Sequence, residues 1–272
     1  MKLPATIGRP GDWLADVAAL EAAGVDSIWL DDLALRPATG SEAEPQLEPW
    51  TLLAAIAAVT RVTRLGTRVA SVGPWTPELF AATVIALERL SGGRAVVCLG
   101  LAGELDEFAV PGLRHEDKGR RLEEFIELVR RLWSGSLDPF DGEFYKAPGI
   151  RLAHGARPQG PPILVYGGDD GDLERAARVG DGIVHPNLPP DQVAAKFARA
   201  GELRAAADRK GDFEAWVEIP IPADRAAWRL ALDGYEAAGA TGVIVSWDQR
   251  IVDLLRNAGV EDDRSDLLIA TG

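Results

Sequence analysis

The sequence predicts an α/β fold, a single (β/α)8 barrel domain over residues 1–272 with an excursion after the fourth helix. Three observations lead there. Short β-branched apolar runs alternate with longer helical patterns, as βαβ units around a parallel sheet require. The runs number eight, enough to close a barrel, and each has its helix. At 272 residues the chain also has the size at which α/β barrels remain one domain, typically about 250 residues.

The predicted strands are a stub at residues 2–5, then 27–31, 65–70, 95–100, 163–167, 181–185, 215–219 and 242–246. The predicted helices are 12–23, 49–59, 77–90, 118–133, 171–179, 190–208, 224–238 and 250–258. Glu48-Pro49 and Thr76-Pro77 put proline at a first helical position, where its missing N–H costs nothing. The fourth helix carries Leu122, Phe125, Ile126, Val129 and Leu132 on one stripe that should pack on the barrel. From residue 134 to 162 the pattern lapses into Gly, Pro and short apolar pieces, including Phe140-Asp141-Gly142-Glu143-Phe144-Tyr145, an excursion that suits a hairpin. Glu-Ala-Ala-Gly occurs twice before a strand, ending at Gly24 and at Gly239, each glycine suited to a left-handed helix cap.

A formal net charge of -13 without a basic stripe excludes a general nucleic-acid binder and leaves a small molecule as the expected partner, with self-association left open. Cys98 is the only cysteine, so neither an intramolecular disulfide nor a Cys/His zinc site can form, and a reducing cytoplasm fits best. No metal is expected. The first residues lack the apolar run of a signal peptide. The longest apolar run, residues 52–59, is too short to cross a bilayer core of about 30 Å, so no membrane span is expected. Gly-x-Ser-x-Gly, P-loop and His-Glu-x-x-His patterns are absent, which leaves hydrolase and nucleotide-triphosphatase readings without residues to carry them.

A series of segments has a common order and spacing: Gly24-Val25-Asp26-Ser27-Ile28-Trp29, Glu48-Pro49-Trp50-Thr51-Leu52-Leu53, Arg64-Leu65-Gly66-Thr67-Arg68-Val69 and Leu90-Ser91-Gly92-Gly93-Arg94. Further on come Arg130-Arg131-Leu132-Trp133, Gln159-Gly160-Pro161-Pro162-Ile163, Gly167-Gly168 and Gly180-Asp181-Gly182. Together these resemble the luciferase-like monooxygenase family, which includes the bacterial-luciferase-like and F420-dependent oxidoreductases. The resemblance implies an oxidoreductase acting on a small, mostly apolar organic substrate. Its cofactor would be the deazaflavin F420, with FMN as the alternative and oxygen activation only with FMN. The ring would lie over the mouth formed by the C-terminal strand ends, and the phosphate near the fifth and sixth loops.

Candidate site residues follow from this placement. Asp32 and Leu33 align with a segment in which an acid is often followed by histidine; Asp32 keeps the carboxylate, while Leu33 can neither donate a hydrogen bond nor shuttle a proton. Arg68, Val69 and Ser71 fall on the third-strand segment, where many F420 enzymes hold a non-proline cis peptide behind the ring; Arg68 reads equally as a surface or rim cation. Gly103 and Glu104 fall in the glycine-rich turn after the fourth strand, with an exposed loop acid as the plainer reading of Glu104. His185 ends the sixth strand and is either a site residue or a satisfied structural histidine, whereas His115 and His154 lie in polar loops. Trp50, Trp75 and Trp247 either line an apolar mouth or pack in the core.

Gly167 and Gly168 are placed to offer N–H groups to a phosphate, or simply to make a tight turn. Against the phosphate stand Asp169, Asp170 and Asp172. A carboxylate about 8 Å from an anionic charge costs roughly 2 kcal/mol at an effective dielectric of 20, before salt screening. Alternatively Asp170 or Asp172 caps the next helix and makes the loop self-sufficient. A rival function follows: a member that keeps the barrel, binds cofactor weakly or not at all, and has a binding or assembly role. A metal-dependent barrel hydrolase is a third reading for which only Asp32 and His185 qualify.

Overall fold

The structure is a computed structural model that describes residues 12–32, 47–100, 114–153, 160–246 and 268–271. Its strands are β1 (Ser27–Leu30), β2 (Arg64–Ser71), β3 (Ala95–Gly100), β4 (Phe140–Asp141), β5 (Lys146–Ala147), β6 (Ile163–Tyr166), β7 (Gly182–Pro186), β8 (Glu214–Ile219), β9 (Gly242–Val245) and β10 (Leu268–Thr271). The helices are α1 (Asp12–Ala22), α2 (Pro49–Val59), α3 (Pro77–Ser91), α4 (Lys118–Ser134), α5 (Asp170–Val179), α6 (Pro190–Ala206) and α7 (Arg225–Ala237). Eight strands close a barrel in the order β1-β10-β9-β8-β7-β6-β3-β2, every neighbour parallel. The fold is the (β/α)8 barrel that the alternating pattern predicts.

One strand differs from expectation. The predicted first strand at residues 2–5 and the predicted helix at 250–258 lie outside the described residues. The slot between β9 and β1 is filled by β10, with Leu268 opposite Gly242 on one edge and Ser27 opposite Ala270 on the other. Leu267-Leu268-Ile269-Ala270 is a four-residue apolar run just after an acidic stretch, too short for periodicity to separate strand from helix.

Alternation along the strands builds two cores. Trp29, Val96, Cys98, Leu164, Val184, Trp216 and Ile244 face inward and fill the barrel, with Trp29 and Trp216 edge to face at 6.1 Å between ring centres. Their outward neighbours, among them Ile28, Leu65, Val97, Ile163, Ile183, Val217 and Val243, pack beneath the helices. Below the tryptophans, Arg64 forks onto both carboxylate oxygens of Glu214 at 2.8 Å each, and the Trp216 indole donates to Glu214 at 2.9 Å.

Gly66 makes room for this interior. A Cβ there would lie 2.4 Å from the Val96 carbonyl oxygen, in the neighbouring strand's backbone, and 3.0 Å from the Trp29 ring. Gly66→Ala should therefore lower unfolding free energy by about 1–3 kcal/mol, measured by urea denaturation, because backbone cannot yield as a side chain can. A neutral result would mean that the β2–β3 pairing is slack at this point.

The seven helices among the described residues form where the sequence predicts. In α4 the stripe Leu122, Phe125, Ile126, Val129 and Leu132 is buried, as expected of an apolar face on the barrel. The excursion contains an antiparallel hairpin, β4 with β5, in register Phe140 to Ala147. It is pinned to α4 by Glu124, whose carboxylate accepts from the N–H groups of Glu143, Phe144 and Tyr145 at 2.9, 2.8 and 2.6 Å. Gly24 and Gly239 adopt φ 79° and 88°, the left-handed geometry that stops α1 and α7 before the next strand.

Candidate active site

All barrel strands run in one direction, so their C-terminal ends share one rim. Asp32 follows β1, Ser71 ends β2, Gly167 and Gly168 follow β6, and His185 lies near the end of β7. Leu33, Gly103, Glu104, His154 and Trp247 lie outside the described residues, and nothing is described of the His115 side chain.

At the centre of this rim Arg68 crosses the barrel. It is 5% exposed, pairs with Glu218 on β8 at 2.6 Å and reaches Asp31 at 3.4 Å. Its guanidinium lies 5.9 Å from the centre of the Tyr166 ring, and the Tyr166 hydroxyl donates to Glu218 at 3.3 Å. Burial, reinforced by the Glu218 charge, pushes the Tyr166 hydroxyl up to about 12. Arg68 is thus an inward cation and not a surface one. The peptide between Arg68 and Val69 is cis, at the position the resemblance indicates.

Beside this group, Asp32 sits against aromatic rings. Its Oδ2 accepts from the Trp75 indole N–H at 3.0 Å. Trp50, Trp75 and Phe80 meet edge to face at 6.0, 5.5 and 5.7 Å between centres. Trp50 is in the core at 5% exposure, while Trp75 is partly buried. Burial lifts the Asp32 carboxyl to about 6, the Glu48 charge adds to the lift, and the Trp75 hydrogen bond opposes it. The Trp50 indole also opposes the lift.

A second group lies over β6 and β7. His185 is buried, with Nδ1 2.9 Å from the Pro186 carbonyl oxygen and Nε2 3.1 Å from the Gly168 carbonyl oxygen. Burial lowers its pKa and favours neutral imidazole, which has one N–H for two carbonyls. Lys196 of α6 donates to the same Gly168 oxygen at 2.7 Å. The structure therefore gathers the candidates into two groups, Asp32 with Trp50 and Trp75 near β1 and β2, and Gly167, Gly168 and His185 near β6 and β7. Arg68 and Glu218 lie across the barrel's mouth.

Whether the Gly167 turn could receive a phosphate depends on its donors. Gly167 N–H goes to the Val184 carbonyl at 3.1 Å, and Gly168 N–H to Asp172 Oδ2 at the same length. Asp169 N–H reaches Asp172 Oδ2 at 3.4 Å, and Asp172 N–H donates to Asp169 Oδ1 at 2.7 Å, a closed capping box. The cap is Asp169 with Asp172 as its reciprocal partner, which corrects the sequence expectation of Asp170 or Asp172 as the cap. The Asp170 side chain is 94% exposed and caps nothing, its carboxylate lying 3.8 Å from Lys196 Nζ. Asp172 is held in place by Arg175 at 2.9 Å. A phosphate would have to displace two carboxylates that already satisfy these N–H groups, so the turn does not fit the phosphate that the resemblance implies.

Glu218, Tyr166, Asp31 and Lys196 are site neighbours that the sequence reading does not single out. Glu218 carried a usable signal: Glu214-Ala-Trp-Val-Glu218 alternates in a strand, so both acids face the barrel with Trp216. Their counterparts are Arg64 and Arg68, also four apart on β2. Among the described residues no three His, Cys, Asp or Glu side chains gather as a metal site, and no helix is long and apolar enough to cross a membrane.

The chain is 31% identical to an uncharacterized protein of Mycobacterium tuberculosis (strain H37Rv) over 251 residues, 84% of this chain and 82% of that one. It is 27% identical over 230 residues to the F420-dependent glucose-6-phosphate dehydrogenase of Amycolatopsis mediterranei, covering 79% and 66% of the two chains. In three dimensions it is similar to an F420-dependent secondary alcohol dehydrogenase solved with an F420-acetone adduct, with TM-score 0.70, 18% identity, and coverage of 97% and 82%. The sequence model of luciferase-like monooxygenases matches residues 4–263. With the parallel barrel and a match over nearly the whole length, the chain belongs to the luciferase-like monooxygenase family.

Proposed function

We propose that this chain is an oxidoreductase that takes F420, or alternatively FMN, as a weakly held and exchangeable redox partner and acts on a small, mostly apolar organic substrate at the C-terminal mouth of the barrel. The observation that carries this reading is Asp32, a carboxyl group pushed up to about 6 by burial, held by Trp75 beside the mouth. A carboxyl poised near neutral pH can hold or release a proton for a bound substrate, which is what acid–base work demands. The aromatic wall of Trp50 and Trp75 supplies the apolar contact such a substrate needs. F420 is preferred because a sequence relative and a structural neighbour are both named for it.

A second reading is favoured by the self-capped turn at Asp169: a family member that retains the barrel for a binding or assembly role. Titration of the purified full chain with F420 and with FMN, followed by fluorescence, separates the two. We expect weak saturable binding, tighter for F420, and no chromophore retained through gel filtration. Failure of both compounds to saturate would overturn the oxidoreductase reading in favour of the second.

A further inference from the structure

We infer that the Gly167–Asp172 turn is closed to phosphate by the chain's own carboxylates, so that a flavin or deazaflavin is recognised here by its ring and not through a phosphate at this turn. The choice of ligand rests on the proposed function; the closure of the turn does not.

The turn is locked from both sides. On its donor side, the Asp172 carboxylate takes Gly168 N–H at 3.1 Å and Asp169 N–H at 3.4 Å, and Asp169 takes Asp172 N–H at 2.7 Å. Asp172 lies flush against the turn: a Cβ on Gly167 would fall 2.1 Å from its carboxylate. On the acceptor side, the Gly168 carbonyl oxygen is engaged by Lys196 Nζ at 2.7 Å and lies 3.1 Å from His185 Nε2. These contacts hold the peptide planes of the turn in place. A helix N-terminus attracts anions through unpaired N–H groups. Here two anions of the same chain already occupy that field, and one of them is neutralised by Arg175 at 2.9 Å. Removing Asp172 would free the Gly168 and Asp169 N–H groups and one side of the Arg175 guanidinium, whose other side still faces Glu123 at 3.4 Å. The turn is therefore a phosphate cradle with its ligand built in.

Two measurements on the full chain test this. In the first, inorganic phosphate is titrated against the backbone amide resonances of Gly168, Asp169 and Asp172; in the wild type we expect no saturable shift. In the second, FMN is compared with riboflavin, which differs only in lacking the phosphate; affinities should agree within about twofold. In Asp169→Ser/Asp172→Ser, where serine still caps α5 without charge, FMN should gain at least about tenfold over riboflavin, most steeply at low salt. Saturable amide shifts with phosphate in the wild type, or a wild-type preference for FMN of about tenfold or more, would overturn the inference. So would a folded double variant that gains nothing. Should the wild type bind neither flavin, the FMN alternative of the proposed function falls and its F420 form is decided by the F420 titration, while the phosphate titration alone still decides whether the turn is closed.

Discussion

Arg68→Met should lower the unfolding free energy by about 3–5 kcal/mol, the range for removing one partner of a buried ion pair. Arg68 is 5% exposed and is the cation shared by Glu218 at 2.6 Å and Asp31 at 3.4 Å. Methionine approximates the volume of the stem and leaves two carboxylates facing each other across the mouth, with side chains still 23% and 21% exposed. That residual solvation places the expected loss toward the lower end of the range. Urea denaturation at neutral pH is the measurement, and the double variant Arg68→Met/Glu218→Gln should recover more than half of the loss because it removes the stranded charge. A loss below about 1 kcal/mol would show that water in the mouth screens these acids as fully as it screens a surface pair.

Asp32→Asn should act in the opposite direction on stability. In the folded protein the Asp32 carboxyl is lifted from 3.8 to about 6 by burial first, with the Glu48 charge adding to it. Between those values the folded chain keeps a proton that the unfolded chain has lost. Stability therefore falls as pH rises from about 4 to about 6 and is level above that, the full cost of ionised Asp32 reaching up to about 3 kcal/mol. Asparagine cannot ionise yet keeps an oxygen for the Trp75 N–H. The variant should be more stable than wild type by about 2–3 kcal/mol at pH 7–8 and indistinguishable from it below pH 4, measured by denaturation across that range. A difference independent of pH would mean that Asp32 titrates as an ordinary surface acid and does not serve as the poised group of the proposed function. Stability gained by neutralising a functional acid is the expected form of a stability–activity trade-off.

The helices were the most legible part of the sequence, because their signals are local. Glu48-Pro49 and the alanine-rich run to Val59 specify α2 to the residue, with Glu48 capping Trp50 and Thr51 through its carboxylate. The stripe in α4 and the hairpin that follows were readable for the same reason. β10 was not, since four apolar residues become a strand only through partners on β9 and β1, which no local pattern names. In the site, positions at strand ends were legible and partnerships were not. Arg68 could be placed on its strand, but its pairing with Glu218 joins residues 150 apart in sequence. The Asp169 cap shows the limit at closest range. Three acids within four residues each suit a cap, and only the backbone, extended at Asp169 with ψ 174° and helical after it, selects among them.

The seam at β10 bears on how the molecule is made. Ser27 and Ile28, among the first described residues, find their lateral partners at Ala270 and Thr271. During vectorial synthesis at about 5–20 residues per second, on the order of ten to fifty seconds pass between emergence of β1 and arrival of the strand that covers it. Until then β1 is an open parallel edge, joined by β9 once that strand is made, and each is a template for a stray strand from another nascent chain. The excess of acidic over basic residues along the chain, -13 overall, gives neighbouring copies a mutual repulsion that opposes such pairing.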